Sequence, residues 1–302
     1  YCVTIACMKG AILKSVCLLL AIVAGVFLLF SIVTYMTLFV PNFTRHDASY
    51  SEKENQRHWE NKEFEARNAA DSAWWDASDR IRLEVTSQDG LKLAAYYLPH
   101  EQHKGIVLMM HGFHSTPARD FASIARFYYE QGYSICLPFQ RAHGESEGAY
   151  ITFGVKERYD LRLWVDELNA RYGMENDLWI HGISMGCATV LMASGLDYPF
   201  NVRGIIADCG FTSPEEIIDT VLRKRKIPLR PAILRMGNLF TKTLAGFSLY
   251  ESDPYTALKT NETPVLFIHG ASDDFVPLSM TFANFEVCRA PKEMVIVEDA
   301  IH

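Results

Sequence analysis

The longest apolar run comes early: Ser15 to Val40 contains no charged residue. Coiled as a helix it extends about 39 Å against a hydrocarbon core of about 30 Å, so it crosses a bilayer with some tilt. A polar stretch, 41–80, follows; its isolated aromatics Trp59, Phe64, Trp74 and Trp75 read as a stalk with a short helix that docks its tryptophans on the next unit. From Ile81 the period changes. Ile81–Thr86 and Leu91–Leu98 flank Gln88-Asp89-Gly90, a hairpin signal. Strands expected at Gly105–Met110, Tyr133–Leu137, Leu178–His181, Val202–Ala207, Pro264–His269 and Glu293–Val297 then alternate with helices at Asp120–Gln131, Glu157–Tyr172, Met185–Ser194 and Leu278–Cys288. Apolar, β-branched strands between amphipathic helices predict an α/β fold over residues 81–302, with a mostly parallel sheet covered on both faces.

Composition narrows the class. Apolar residues make up 49% and charged residues 22% of the 302, which supports a sizeable core. A net charge of −7 gives no footing for nucleic acid, which favours a basic face. The seven cysteines form no Cys-x-x-Cys pair and no zinc-spaced cluster, so no metal, cofactor or disulfide framework is expected. Cys136, Cys187 and Cys209 read as buried thiols.

Residues 15–40 fit an uncleaved signal anchor better than a cleaved signal peptide, whose apolar region is usually about 7–15 residues. Lys9 and Lys14 precede the span, whereas Arg45 is offset by Asp47, Glu52 and Glu54 beyond it. Positive-inside logic therefore expects residues 1–14 in the cytoplasm and the catalytic part outside, in a single-pass membrane protein. Met8-Lys9 resembles a natural start, with Tyr1 to Cys7 as an upstream extension.

Candidate chemistry gathers where strands end, the place for working residues in such a sheet. Gly182-Ile183-Ser184-Met185-Gly186 lies between an apolar strand and a helix-like run. That context predicts a nucleophile elbow: a strained turn lifts the Ser184 hydroxyl, and the next helix aims its first N–H groups at the reacting oxygen. A Cβ at Gly182 or Gly186 would collide with the neighbouring strand or helix. Serine needs a base and the base needs an acid. The acid is sought in His269-Gly270-Ala271-Ser272-Asp273-Asp274-Phe275-Val276-Pro277, and the base is His302, after the final strand.

The order serine, acid, histidine and these motifs resemble the α/β-hydrolase superfamily, more narrowly its membrane-anchored bacterial serine hydrolases, from about Ile81 to His302. The resemblance implies a Ser184–Asp273–His302 triad: the family's Gly-x-x-Asp-x-x-Val-Pro, set on Gly270, Val276 and Pro277, selects Asp273, with Asp274 as the fallback. His111-Gly112-Phe113 resembles the oxyanion-loop His-Gly and implies that the Phe113 and Met185 N–H groups bind the developing oxyanion. Arg141 to Gly148 is similar to the family's Arg-Gly-His-Gly-x-Ser-x-Gly loop, departing at Ala142, and Phe139 stands where aspartate is common. That family continues past the base with a helix, which suggests a truncated sequence.

His111, His143 and His181 are expected to be structural; His114 and Ser115 either line the pocket or face solvent. A helical cap over about 211–262 interrupts the alternation, and its apolar residues either line an acyl pocket or simply pack the cap down. Its basic run Arg223 to Lys226 is a solvated face or a contact with anionic headgroups. The function expected is cleavage of a small-molecule or lipid-like carboxylic ester through an acyl-enzyme. Thioester or peptide cleavage is the alternative within this chemistry, and a non-catalytic binder of the same fold is the alternative outside it. Nothing in the residues speaks to oligomeric state.

Overall fold

Ile81–Thr86 (β1) and Lys92–Leu98 (β2) pair antiparallel around a turn in which Gly90 takes φ +86°. The Ser87 side chain closes this turn by accepting from Leu91 N–H, as a turn serine can. In the computed structural model, which describes residues 2–41 and 62–302, β2 also pairs antiparallel with Ser134–Pro138 (β4). All further pairings are parallel, through Ile106–Met110 (β3), Leu178–Ile183 (β5), Val202–Asp208 (β6), Val265–Gly270 (β7) and Lys292–Val297 (β8). The eight strands lie in the order β1-β2-β4-β3-β5-β6-β7-β8. β3 and β4 are buried throughout, as continuous apolar runs in a two-faced parallel sheet must be.

The helices fall close to their sequence expectations. Pro117–Glu130 (α3) starts a turn earlier than the apolar pattern suggests, because Thr116 accepts from Arg119 N–H and Pro117 takes the first helical position. Glu157–Tyr172 (α4), Met185–Ala193 (α5) and Leu278–Val287 (α9) cover the sheet, and α5 is buried along its whole length. The insert after β6 forms Pro214–Lys224 (α6), Arg230–Phe240 (α7) and Pro254–Ala257 (α8), with a π turn over Thr241–Ala245 ended by Gly246 at φ +66°.

Cys2–Phe39 (α1) is one continuous helix whose Val16–Phe39 portion, mean hydropathy 3.1, is long and apolar enough to cross a membrane. Most of its described side chains are exposed, but Ser31, Tyr35 and Phe39 are buried against the cap. Of the stalk, Trp59 and the charges on either side of it lie outside the described residues. Lys62–Ala77 (α2) does dock by its tryptophans: Trp75 is buried in the α3 layer and Trp74 packs on Tyr129. An ion pair between Asp71 and Arg126, at 3.0 Å, fixes α2 on α3. Cys136, Cys187 and Cys209 are buried free thiols.

Candidate active site

β5 ends in a constrained turn. Ser184 sits at φ +55°, ψ −117°, a conformation that costs a non-glycine residue about 1–3 kcal/mol and persists only when its surroundings enforce it. They do so here by close packing. A Cβ on Gly186 would overlap the Met110 carbonyl oxygen at the end of β3, and one on Gly182 would overlap the Gly186 carbonyl. Ser184 N–H donates to the Asp208 carbonyl at the end of β6 (2.9 Å), which ties the turn to the neighbouring strand. The hydroxyl thus stands at the start of α5, beside the first N–H groups of that helix.

His302 spans two partners. Its Nε2 lies 2.9 Å from Ser184 Oγ and its Nδ1 lies 2.8 Å from Asp273 Oδ2. The tautomer that satisfies both has Nδ1–H donating to the carboxylate and Nε2 accepting from the hydroxyl. Asp273 is chosen over Asp274 by burial: its side chain is fully enclosed, whereas Asp274 is exposed. Its other oxygen accepts from Phe275 N–H (2.8 Å) and Val276 N–H (2.9 Å). Burial pushes the Asp273 carboxyl up, but hydrogen bonds from His269 and His302 outweigh it and hold the group well below the usual carboxylate range.

Across the cleft, Gly112 packs against the elbow, where a Cβ would meet Ser184 Cβ at 3.4 Å. This places the backbone of the next residue, Phe113, beside the serine. Asp120, in the first turn of α3, holds the loop by accepting from Gly112 N–H (2.7 Å) and from the Ser115 hydroxyl. Burial raises its carboxyl, and these two donors partly offset the rise. Ser115 therefore bonds inward. The His114 ring is half-buried, touches Phe113 (centroids 4.1 Å apart) and lies beside the Thr37 backbone of α1.

The remaining histidines are held as scaffolding. His111 accepts from Gln140 N–H at Nε2 (3.0 Å), and burial lowers it to about 4. Burial lowers His143 and His181 to about 3, and their Nε2 atoms find no partner among the described residues. Arg141 is bidentate to buried Asp160 (2.7 Å twice) and also reaches Asp89. Ala142 occupies φ +62°, which explains why glycine is common at this place in the family's loop.

Sequence reasoning missed three groups. Asp120 was legible only as an acid in the first turn of a Thr-Pro-capped helix. His269 closes on Asp273 Oδ2 from behind (3.1 Å), taking a hydrogen bond from Thr281 and reaching the Val276 carbonyl. Cys209, after β6, lies by the same pair, and the donor atoms of Cys209, Asp273 and His302 fall within 4.8 Å of one another. The trio suits a metal poorly. Burial keeps the thiol protonated, and the imidazole and carboxylate are already bonded to each other.

Comparison with known proteins agrees with the fold. A family model described as serine aminopeptidase, S33, matches residues 101–244. An uncharacterized Bacillus subtilis protein, YqkD, is 26% identical over 283 residues, 93% of this chain and 88% of its own. An uncharacterized membrane protein of Saccharomyces cerevisiae is 23% identical, covering 76% of this chain and 75% of its own. Among solved structures, a Pyrococcus furiosus esterase superposes with a TM-score of 0.61 at 21% identity, over 75% of this chain and 84% of its own. The esterase domain of a Rhodothermus marinus protein gives 0.54 at 21%, over 74% and 89%. With its eight-stranded sheet, its cap and these similarities, the chain has the α/β-hydrolase fold.

Proposed function

We propose that this protein is a serine esterase in which Ser184, His302 and Asp273 cleave carboxylic esters through an acyl-enzyme. One observation carries the reading: a single imidazole lies 2.9 Å from the serine hydroxyl and 2.8 Å from a buried carboxylate. In the first step Ser184 Oγ bonds to the ester carbonyl carbon while His302 Nε2 takes the hydroxyl proton. The carbonyl oxygen becomes an anion beside the Phe113 and Met185 N–H groups, each such donor being worth about 3 to 4 kcal/mol in the transition state. The C–O bond to the alcohol then breaks, and His302 returns the proton to the leaving alkoxide. Water, deprotonated by the same imidazole, attacks the acyl-enzyme and frees the acid and the serine. Asp273 keeps Nδ1 protonated and steadies the imidazolium throughout.

A fluorophosphonate probe tests this directly. Labelling of wild type but not of Ser184→Ala is expected; an intact wild type that resists the probe would indicate a ligand-binding protein that keeps the fold. The family model's description favours a second reading, peptide cleavage by the same triad, which a panel of esters, thioesters and aminoacyl amides separates. Lys9 and Lys14, ahead of the apolar span, support a hydrolase domain outside the cell. Protease added to intact cells should digest it, and digestion only after lysis would reverse the topology.

A further inference from the structure

Helix α1 has two faces over its last turns. Ser31, Tyr35 and Phe39, a stripe at four-residue spacing, are buried against the cap. Phe30 and Val33, on the opposite side of the same turns, are apolar and exposed. The Phe39 carbonyl accepts from Ile151 N–H at 2.9 Å, which fixes this end of the helix to the domain. The surface of α1 that suits lipid therefore extends to the level at which the cap is already packed on it.

Depth follows from length. Lys14 is the last charge before the span, and crossing a hydrocarbon core of about 30 Å takes about 20 helical residues. Counted from Ser15, the far edge falls at about Tyr35, and any tilt moves it further along α1. The Tyr35 ring packs edge-on against Phe240 at the end of α7, with centroids 5.5 Å apart. Phe240 thus marks the hydrocarbon edge on the cap. Its chain neighbour Leu239 is 51% exposed, and Leu244, one turn beyond, is 58% exposed. Arg235 and Lys242, a turn to either side of Leu239, are exposed as well.

Charge agrees with depth. Thr220 to Tyr250 carries seven lysines and arginines and no aspartate or glutamate, in a chain whose net charge is −7. All but Arg230, which pairs with Asp219, are exposed. Exposed leucines flanked by cations suit an anionic interface, where the leucines enter the acyl boundary and the Lys or Arg heads reach phosphate. A second copy of this chain fits the face poorly, because a two-fold contact would set these cations against their own copies.

We propose that the cap is seated on the bilayer that α1 crosses, with Leu239 and Leu244 in the acyl boundary and Arg235 and Lys242 on anionic lipid headgroups. This rests on α1 spanning the membrane and is independent of the chemistry at Ser184. Helix and cap together then hold the domain in one orientation over the membrane.

The test uses the full chain in vesicles of phosphatidylcholine with phosphatidylglycerol. The photoreactive residue p-benzoylphenylalanine is introduced at Leu239, at Leu244 or, as a control, at the exposed Phe200 just ahead of β6. After irradiation, mass spectrometry of the digested chain should show lipid adducts at Leu239 and Leu244 at least threefold above those at Phe200. A smaller excess overturns the seat, and crosslinking of these positions mainly to another copy of the chain replaces lipid by a dimer. Vesicles of phosphatidylcholine alone should lower the adduct yield at least twofold; an unchanged yield removes the headgroup contact and overturns the proposal. Alkaline carbonate reads the span separately, since a chain that it washes from the vesicles has no spanning helix, and the seat falls with it. A chain that labels with the fluorophosphonate yet gives no lipid adducts loses the seat and keeps the esterase reading.

Discussion

The two halves of the proposed catalytic rim hold their side chains by different means. On the β3–β5–β6 half, Ser184 is fixed by backbone: close-packed glycines, a strained φ and a main-chain bond to Asp208 leave its hydroxyl little freedom. On the β7–β8 half, His302 depends on side chains. Its side chain is 24% exposed, the strand before it alternates between half-buried and open positions, and the Asp273 carboxylate is what turns its ring toward the serine. The geometry of Ser184 should accordingly survive loss of its partners, whereas that of the His302 ring should not survive loss of the Asp273 carboxylate.

The largest effect expected is Ser184→Ala, which should lower kcat by about 10⁶ and leave the melting temperature unchanged, because the turn is held by backbone. A drop of only a few fold would mean that another group attacks. Next, Asp273→Asn should cost about 10⁴ in kcat by favouring the wrong imidazole tautomer, with fluorophosphonate labelling of Ser184 slowed in proportion. If labelling stays fast, the base does not need its acid and the contrast between the halves is lost. Asp120→Ala frees the Gly112 loop and should lower kcat roughly 10- to 100-fold with KM little changed, since it loosens the proposed oxyanion donor rather than a member of the proposed triad. A selective rise in KM would move Asp120 to substrate binding.

The smallest effect concerns stability. Burial raises the Asp208 carboxyl to about 6, above its ordinary value of about 4, so the folded chain favours the protonated form. The stability this group contributes is complete below about pH 4 and is lost as pH rises through about 6. Asp208→Asn mimics the protonated form. Its advantage over wild type in urea unfolding should therefore grow across that window, by on the order of 1 to 2 kcal/mol. A constant difference from pH 4 to 7 would place the titration elsewhere.

How much of this was legible beforehand differs from element to element. The strands and helices of 81–302 show in the alternation of apolar periods, because burial on one face or two is written residue by residue. Asp120 was not, since its partner, Gly112 N–H, becomes a neighbour only once β3 and α3 pack. The docking of α1 was hidden for a related reason. Tyr35 and Phe39 sit in a run as hydrophobic as lipid demands, so nothing local distinguishes a side chain facing a bilayer from one facing a cap.

By itself the sequence determined the sheet, the elbow, the helix able to cross a membrane, and the order in which serine, acid and histidine occur. These depend on backbone sterics and on water's rejection of apolar surface, which act between residues close in the chain. The tertiary structure alone decided that His269 backs Asp273 and that the anchor ends against the cap. The hydroxyl and the imidazole lie 118 residues apart in the chain. What brings them within hydrogen-bond reach is strand register summed across β5, β6, β7 and β8, a property that no single stretch of sequence carries.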